Sequence, residues 1–219
     1  MKKQKNHSKI YKIDGVGVNL ERFYPVTSEA EKKDLRKEKG FFSDDFILIY
    51  TAEFIPRKNH KLLFDILPEL KIKIPALKVV LCGKGDLLEH FKEFANYNKM
   101  DYIVFTGYTK DVADYCRLSD VLVMPSFQEG LPMAMIEAIA TGLPVVASDI
   151  RGHKDVIEDC VNGFLFSTDD ISGFEKAILT LYKNPALCSE MGRRNVERAK
   201  NFTVEKVLNA MNVIYHTVM

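Results

Sequence analysis

The sequence predicts an α/β fold in which helices cover both faces of a parallel sheet, a doubly wound, Rossmann-like arrangement. Two observations carry this prediction. Six short β-rich segments alternate with longer amphipathic segments, and each β-rich segment is apolar throughout rather than at every second residue. A strand that is apolar on both sides is buried on both sides, which is typical of parallel sheets between two helical layers.

Each predicted strand ends at a glycine, a proline or a polar cluster and leads into a helical segment. The strands are, in order, FILIYT (46–51), LKVVLCG (77–83), YIVFTG (102–107), DVLVMP (120–125), PVVAS (144–148) and GFLF (163–166). The segments after the second and sixth strands show helical periodicity clearly. Their apolar residues are predicted to share one face, at Leu87, Leu88, Phe91, Phe94 and Ala95 and at Ile171, Phe174, Ile178 and Leu181.

The ends of the chain differ from the alternating region. Residues 1–40 are charged and weakly patterned, so we expect a basic lead-in followed by a solvated helix at EAEKKDLRKEKG. Residues 41–200 are expected to form the Rossmann-like domain. The last helix lies in a C-terminal segment, 201–219, with Thr203 as its N-cap. Its apolar stripe comprises Val204, Val207, Leu208, Met211, Ile214 and Tyr215. We expect these apolar residues to dock on another domain.

Composition limits the classes of partner. The net charge is +1 and the isoelectric point is near 7.6, so no nucleic-acid partner is expected. No apolar run reaches the ~18 residues of a membrane span. We therefore expect a cytoplasmic protein that reaches the inner face of the membrane only through another domain. The four cysteines are far apart, which favours free thiols. Histidines without ligand spacing, and no Asp-x-Asp at a strand end, argue against a metal site.

The predicted ligand site lies at the carboxyl ends of the strands, where open parallel sheets bind their ligands. The segments there gather Arg57, Lys58 and Glu129 on one rim, with Arg151 as a further candidate. Each piece also has a structural interpretation, in which Arg57 and Lys58 are a solvated basic pair and GKGD (83–86) is a tight turn. GKGD is not a dinucleotide fingerprint, because the third glycine of G-x-G-x-x-G would fall on Leu88.

The segment PSFQEGLPMAMIEA (125–138) carries two carboxylates, and the second is unexpected. Glu137 lies in an otherwise apolar helix, and a buried carboxylate without a partner costs several kcal/mol. Pro132 suits the first turn of this helix, and Gly130 lets the backbone approach a ligand. The free amides of a helix start attract anions such as phosphate. The partner of Glu137 is therefore a ligand or, alternatively, a Lys or Arg in a structural ion pair.

Taken together, the motifs resemble the donor-binding domain of GT-B fold glycosyltransferases, and more narrowly family 4 of the retaining, nucleotide-sugar-dependent enzymes. They occur in family order: AEFIPRKNH, CGKGD, FTGY, LSDVLVMPSFQEGLPMAMIEA, GLPVVAS, the Gly-His at 152–153 and NGFLF. Glu129 and Glu137 match the E-x(7)-E motif of that family. The resemblance implies that residues 41–200 bind a nucleotide sugar and that the chain is the second domain of a GT-B fold.

The resemblance implies catalytic roles for three residues. Lys58, and with it Arg57, would hold the donor's diphosphate and stabilise it as it leaves, while Glu129 would bind hydroxyls of the donor sugar. The physical chemistry agrees, because a cation placed where negative charge develops lowers the barrier without a metal. The implied reaction uses no cofactor and no metal. Its substrate is a nucleoside diphosphate sugar, with a UDP-sugar favoured.

The resemblance also implies binding roles for neighbouring residues. Backbone amides at Gly130, Leu131 and Met133 would contact sugar and phosphate, and Glu137 would accept hydrogen bonds from the ribose hydroxyls. The residues expected to face the nucleotide are Gly83, Tyr108 and Thr109.

Two departures from the family pattern affect these expectations. The Gly-Arg pair that many relatives carry before the phosphate lysine reads Thr51-Ala52 here, so a phosphate contact is missing or is replaced by Arg57. The usual Lys-Gly is Lys58-Asn59, a variant associated with polysaccharide assembly. The acceptor-binding domain is not part of this sequence, so we expect another portion of the protein or a partner chain to supply it.

The leading functional hypothesis is the donor-binding domain of a bacterial glycosyltransferase that builds a polysaccharide or glycoconjugate. Two alternatives stay open. A non-catalytic nucleotide-sugar-binding subunit would bind without turnover. A nucleotide-sugar 2-epimerase shares the fold but is expected to carry a different pattern from E-x(7)-E.

Overall fold

A computed structural model describes Gly15 and residues 17–218, with side chains up to residue 217. The described strands are β1 Phe46–Thr51, β2 Leu77–Cys82, β3 Ile103–Gly107, β4 Val121–Met124, β5 Val145–Ser148 and β6 Gly163–Phe166. The helices are α1 Glu29–Glu38, α2 His60–Lys73, α3 Leu88–Tyr97, α4 Val112–Leu118, α5 Met133–Ala140, α6 Arg151–Lys154, α7 Ile171–Lys183, α8 Pro185–Ala199 and α9 Val204–Val218. Short 3-10 turns occupy Pro56–Lys58 and Lys200–Phe202. The basic opening MKKQKNHSK lies outside the described residues.

All these strands run parallel in one sheet of order β3-β2-β1-β4-β5-β6. Every strand predicted from the apolar runs is present, and each begins and ends within one residue of its predicted bounds. The chain moves outward from β1 to β3, returns to the other side of β1 at β4, and continues outward to β6. The prediction of a doubly wound, Rossmann-like sheet is confirmed.

The core lies on both faces of the central strands. β4 and β5 are buried at every residue, whereas the outer strands β3 and β6 are only partly buried. The continuous apolar runs of the sequence follow from this position, because a strand with one wet face would alternate. The four cysteines form no disulfide: two are buried in the core and two lie nearer the surface, at Cys82, Cys116, Cys188 and Cys160.

Two residues of the predicted apolar helical faces, Phe94 and Ile171, are more exposed than the other members of α3 and α7 on those faces. Phe94 on α3 is 42% exposed and Ile171 on α7 is 43% exposed. Phe94 lies at the margin of its apolar stripe, where its ring meets Phe64 edge-on with centroids 5.9 Å apart. Ile171 is the first residue of α7, which Asp170 caps through the Gly173 amide. A first-turn residue lies beyond the packed middle of the helix.

α1 is a helix as predicted, but one of its faces is not solvated. Arg36 is 6% exposed, and its Nε donates to the carbonyl of Leu118 at 2.9 Å. The two terminal nitrogens donate to the Ser43 carbonyl and to the Asp120 carboxylate. A buried guanidinium with these acceptors attaches α1 to the end of α4 and the start of β4. The proposed domain boundary at residue 40 stays a prediction.

The last helix, α9, is capped as predicted, because Thr203 Oγ1 accepts a hydrogen bond from the Lys206 amide at 3.3 Å. Its start is joined to the N-terminal segment, where the Val18 amide donates to the Phe202 carbonyl at 2.7 Å. Within the predicted apolar stripe Val207 is buried, and the other members are exposed or half-buried. Docking of this face on another domain stays a prediction.

Candidate functional site

The sheet order reverses between β1 and β4, and the loops that follow these two strands meet at their carboxyl ends. Residues 52–59 follow β1, and residues 125–132 follow β4. The amide of Phe127 donates to the carbonyl of Arg57 at 2.8 Å, which joins the loops directly. Open α/β sheets bind ligands in the crevice outside such a reversal.

Lys58 and Glu129 form an ion pair at this reversal. Lys58 Nζ lies 2.5 Å from Glu129 Oε1, and Ser126 Oγ donates to the same oxygen at 2.8 Å. The Lys58 and Glu129 side chains are 12% and 8% exposed, so the pair is largely withdrawn from water. Hydrogen bonds between ionised groups are stronger than those between neutral ones. The structure therefore brings together two of the three predicted catalytic residues, in a direct pairing that the sequence did not predict.

Arg57 and Arg151 are less engaged than Lys58. Arg57 lies in the same 3-10 turn, Pro56–Lys58, and is exposed. Its side chain makes no ion pair within the described part of the chain. Arg151 begins α6 and is also exposed, and no hydrogen bond or ion pair joins it to Lys58 or Glu129. The interpretation as a solvated basic pair therefore fits Arg57 but not Lys58.

Asn59 fixes the backbone that presents Lys58. Its φ is +50°, in the left-handed region that Asn and Gly tolerate better than other residues. Its side-chain amide donates to the carbonyls of Pro125 and Thr168, both at 3.1 Å. These contacts explain the Lys-Asn departure, because asparagine adopts the conformation open to glycine and adds two bonds to neighbouring loops.

The start of α5 offers free backbone donors beside Glu129. The helix begins at Met133, with Pro132 as a cap residue that makes no side-chain bond, one position earlier than its predicted place in the first turn. The amide of Met133 donates to the Leu131 carbonyl at 3.0 Å, whereas those of Gly130 and Leu131 have no acceptor among the described residues. Free amides and the helix dipole favour an anion here. Gly130 and Leu131 are therefore better candidates for ligand contact than Met133.

Gly152, the second residue of α6, packs against this loop. A Cβ at Gly152 would lie 2.2 Å from the carbonyl oxygen of Gly130 and 2.8 Å from that of Glu129. A Cβ at Gly130 would have no atom within 4 Å. Gly152 thus supports the loop, while Gly130 borders open space.

Glu137 lies half-buried on the second turn of α5 among apolar neighbours. Burial raises the pKa of its carboxyl group, and the nearby Arg22 guanidinium opposes that rise. No hydrogen bond or ion pair joins the carboxylate to another residue of the part that the structure describes. The interpretation as a structural ion pair is therefore not supported there, and both oxygens keep their capacity to accept hydrogen bonds.

Gly83, Tyr108 and Thr109 line one cavity of about 310 Å³ beyond the carboxyl ends of β1, β2 and β3. Tyr108 is 77% exposed, and Lys84 Nζ lies 5.6 Å from the centre of its ring. The structure thus groups the three residues predicted to face a nucleotide. Glu137 is not among the residues that line this cavity.

The glycines of GKGD are explained by close packing. Gly83 and Gly85 have φ near +150°, and a Cβ at these positions would lie 1.9 Å and 2.6 Å from the carbonyl oxygens of Ala52 and Phe54. The turn must therefore pass against the loop after β1, and this structural requirement accounts for both glycines. A ligand contact by Gly83 stays a prediction.

Two buried histidines lie near the ion pair. His60 stacks on Phe54 with ring centroids 4.2 Å apart, and burial, together with the charge of Lys58, lowers its pKa to about 4. His153 is buried, with Nδ1 2.8 Å from the Ser148 carbonyl oxygen, and burial lowers its pKa as well. Both rings are therefore neutral near pH 7 and add no positive charge beside Lys58.

Sequence reasoning missed Tyr50, Ser126 and Arg22. Tyr50 is the penultimate residue of an apolar strand, where its hydroxyl is an available signal, and Ser126 directly follows the predicted strand 120–125. Arg22 gave no signal, because its contacts are distant in sequence: Nη2 donates to the carbonyl of Lys110 at 2.7 Å.

A larger cavity lies away from these residues. Its volume is about 690 Å³, and it lies between the segment after β5 and α8. Charges of both signs line it, including Asp149, Lys154, Arg194, Glu197 and Arg198, and it includes no predicted site residue. Because an ion pair and free backbone amides gather at the reversal among the described residues, that position is the better candidate site.

Residues 31–200 match the family described as Glycosyl transferases group 1, which is more than half of the chain. The chain belongs to this family. Its sheet matches the Rossmann-like domains of GT-B neighbours, among which sucrose-phosphate synthase from Thermosynechococcus elongatus aligns over 94% of this chain with a TM-score of 0.83 and 26% identity. TarM aligns over 78% of this chain and 35% of its own, with a TM-score of 0.71 and 27% identity. The resemblance to the C-terminal domain of a GT-B glycosyltransferase is thereby confirmed.

Two relatives among this family's members show how much of a longer protein the chain covers. EpsD of Bacillus subtilis, which carries the name of a glycosyltransferase, is 37% identical over 217 residues, covering 99% of this chain and 57% of EpsD. An α-1,3-galactosyltransferase of Escherichia coli is 30% identical over 205 residues, covering 90% of this chain and 49% of the enzyme. The chain thus spans about half the length of these relatives.

Two further observations concern membrane-spanning helices and metal sites. Among the residues with described positions, no helix combines the length and apolar character needed to cross a membrane. Nor do those residues include a group of three or more His, Cys, Asp or Glu side chains arranged to hold a metal ion.

Proposed function

We propose that this domain binds a nucleoside diphosphate sugar at the reversal between β1 and β4 and presents it for transfer of the sugar. The observation that carries the proposal is the Lys58–Glu129 pair beside the free amides of Gly130 and Leu131. A fixed cation, a carboxylate and free backbone donors suit a ligand that joins a diphosphate to a sugar rich in hydroxyls.

Lys58 would stabilise the leaving diphosphate. As the glycosidic bond breaks, its electron pair passes to a phosphate oxygen, and negative charge grows on the diphosphate. Lys58 Nζ is held in place with little exposure to water, and the amides of Gly130 and Leu131 add two donors. Donors positioned before the reaction stabilise such charge effectively. We propose that no metal is required, that Arg57 assists from the exposed side, and that the anomeric configuration is retained.

Glu129 and Glu137 would bind different parts of the same ligand. Glu129 would accept hydrogen bonds from the donor sugar, and Glu137 from the ribose. Glu137 lies four residues beyond Met133 at the start of α5, which is ~6 Å along the helix. One ligand can therefore extend from the amides to this carboxylate, with its base in the cavity at Tyr108 and Thr109.

We favour a UDP-sugar as the donor. The E. coli relative is named for transfer from UDP-Gal to a diphosphoundecaprenol-linked sugar. A mannosyltransferase of Mycolicibacterium smegmatis, 26% identical over 186 residues, is named for dependence on GDP-mannose. The relative with the higher identity supports uridine, and experiments should include both bases.

The whole protein would transfer the sugar to an acceptor in the synthesis of a polysaccharide or glycoconjugate. A second domain or a partner chain would hold the acceptor across the cleft, on the cytoplasmic side of the membrane. Orientation of two reactants can contribute ~7–11 kcal/mol to lowering a barrier. Membrane association, where present, would come through that second domain or partner chain.

The two glutamates separate the proposed roles experimentally. Glu137→Gln is expected to weaken binding of UDP and of UDP-sugar equally, by about tenfold or more, because a hydrogen bond to a charged group contributes ~1.5–3 kcal/mol. Glu129→Gln is expected to weaken binding of the UDP-sugar more than that of UDP. Calorimetry with both ligands measures the difference, and Glu93→Gln on the exposed face of α3 is the control. Equal losses for the two ligands in both variants would contradict the division of roles.

A further inference from the structure

Two buried hydroxyl groups lie beneath the Lys58–Glu129 pair. Tyr50, on β1, is 1% exposed, and Ser126, just after β4, is not exposed at all. Both stand at the carboxyl ends of the strands between which the sheet order reverses. Their hydroxyls contact each other across the two strands, with the oxygens 2.9 Å apart.

These hydroxyls close a ring of contacts around the ion pair. Tyr50 donates to the main-chain carbonyl of Lys58 at 2.8 Å, and Ser126 donates to Glu129 Oε1 at 2.8 Å. Lys58 Nζ meets that same carboxylate oxygen. The ring therefore holds Lys58 at both its backbone and its ammonium group.

The distribution of protons gives the ring a direction. The carbonyl of Lys58 and the carboxylate of Glu129 can only accept hydrogen bonds, while the two hydroxyls supply one proton each. Because neither acceptor can supply a proton to its contact, Ser126 uses its own proton on Glu129 and Tyr50 uses its own on Lys58. The contact between the Tyr50 and Ser126 hydroxyls then has no proton of its own, so it shares one of the two protons that already bond Lys58 and Glu129. Neither hydroxyl has a proton left for another acceptor.

Other bonds hold the two loops together independently of this ring. The Phe127 amide donates to the Arg57 carbonyl, and the Asn59 side chain donates to the Pro125 carbonyl. Loss of a hydroxyl is therefore expected to leave the loops packed. Its effect should fall on the position and mobility of the charged pair.

We infer that Tyr50 and Ser126 are positioning residues, which set the Lys58 ammonium and the Glu129 carboxylate relative to each other for a nucleoside diphosphate sugar. This inference rests on the function proposed above. Glu129, held by Ser126, fixes the direction of the ammonium group, and Tyr50 fixes the main chain from which the lysine extends. The ligand would then meet a cation whose position is set before it binds.

The test uses Tyr50→Phe and Ser126→Ala. Each has a matched control near the amino end of a strand, on the side of the sheet opposite the site. Tyr102→Phe removes a hydroxyl from a buried tyrosine just before β3, and Ser119→Ala removes one from a buried serine just before β4. The first measurement is the ratio of UDP affinity to UMP affinity by calorimetry. Ser126→Ala should lower this ratio about tenfold and Tyr50→Phe about threefold, as expected for bonds at a charged and a neutral acceptor. The controls should leave the ratio unchanged.

The second measurement needs no nucleotide. The ammonium signal of Lys58 is followed by ¹H–¹⁵N NMR, and its hydrogen exchange with water should be faster in both test variants than in the native chain and the controls. If the native chain binds no UDP or GDP, the proposed function fails, and faster exchange still supports the positioning role. Unchanged exchange in both test variants, with an unchanged affinity ratio where binding occurs, would overturn it.

Discussion

Replacing Lys58 with alanine is expected to lower the free energy of unfolding by about 3 kcal/mol, because it leaves a largely buried carboxylate without its cation. Glu129 is 8% exposed, and Ser126 alone would then donate to its Oε1. The same change should weaken UDP binding by about 100-fold, since a charge-assisted contact to phosphate is worth ~1.5–3 kcal/mol. Urea denaturation and calorimetry measure the two effects separately.

A double substitution distinguishes the structural part of this effect from the functional part. Lys58→Met with Glu129→Gln removes both charges and keeps the side-chain volumes similar. Replacing a whole buried ion pair by neutral groups is often nearly neutral for stability. We therefore expect most of the lost stability to return, while UDP binding stays weak. Recovery of UDP binding in the double variant would contradict the assignment of Lys58 to the diphosphate.

Gly152→Ala should destabilise the domain by about 3 kcal/mol or more, because the added methyl group overlaps backbone that cannot yield cheaply. Its Cβ would lie 2.2 Å from the Gly130 carbonyl oxygen. Gly130→Ala provides the contrast, since its Cβ would meet no atom within 4 Å. We expect Gly130→Ala to change stability by less than ~0.5 kcal/mol and to weaken UDP-sugar binding, because the methyl group would occupy the space into which the ligand approaches.

The contrast between the two glycines separates support of the loop from contact with the ligand. Thermal unfolding and calorimetry on both variants provide the four values needed. A stable Gly152→Ala variant would show that the start of α6 can move away from the loop. Undiminished UDP-sugar binding by Gly130→Ala would remove the ligand from the start of α5.

The sheet could be predicted from sequence because burial on both faces leaves continuous apolar runs, and FILIYT and DVLVMP are examples. The order of the strands in the sheet could be predicted from the sequence less directly. The rim could be predicted because parallel strands carry their carboxyl ends to one edge, which is why Lys58 and Glu129 were expected to be close. Topology assigns a side chain to an edge of the sheet, but it does not assign a partner.

The remaining features depend on contacts between distant parts of the chain. The bond from Tyr50 to Ser126 joins two strands, and the anchoring of α1 by Arg36 joins a surface helix to α4 and the start of β4. Neither leaves a local period or motif. Phe94 shows the converse: it fits the helical period and its ring meets Phe64, yet it stays 42% exposed, because a period assigns a face of the helix and not the extent to which that face is covered. Asn59 could be identified as a departure, but its left-handed conformation explains it only in three dimensions.

The central claim is that this domain binds a nucleoside diphosphate sugar at the reversal between β1 and β4. The most direct measurement is the thermal stability of the 219-residue chain with UDP-, GDP-, ADP- and TDP-sugars, compared with that of the Lys58→Met, Glu129→Gln double variant. A ligand present at 100 times its dissociation constant should stabilise the native chain by about 2.7 kcal/mol. We predict this stabilisation for a UDP-sugar in the native chain and its loss in the double variant. The account would be contradicted if no sugar nucleotide at millimolar concentration stabilised the native chain, or if the double variant were stabilised equally.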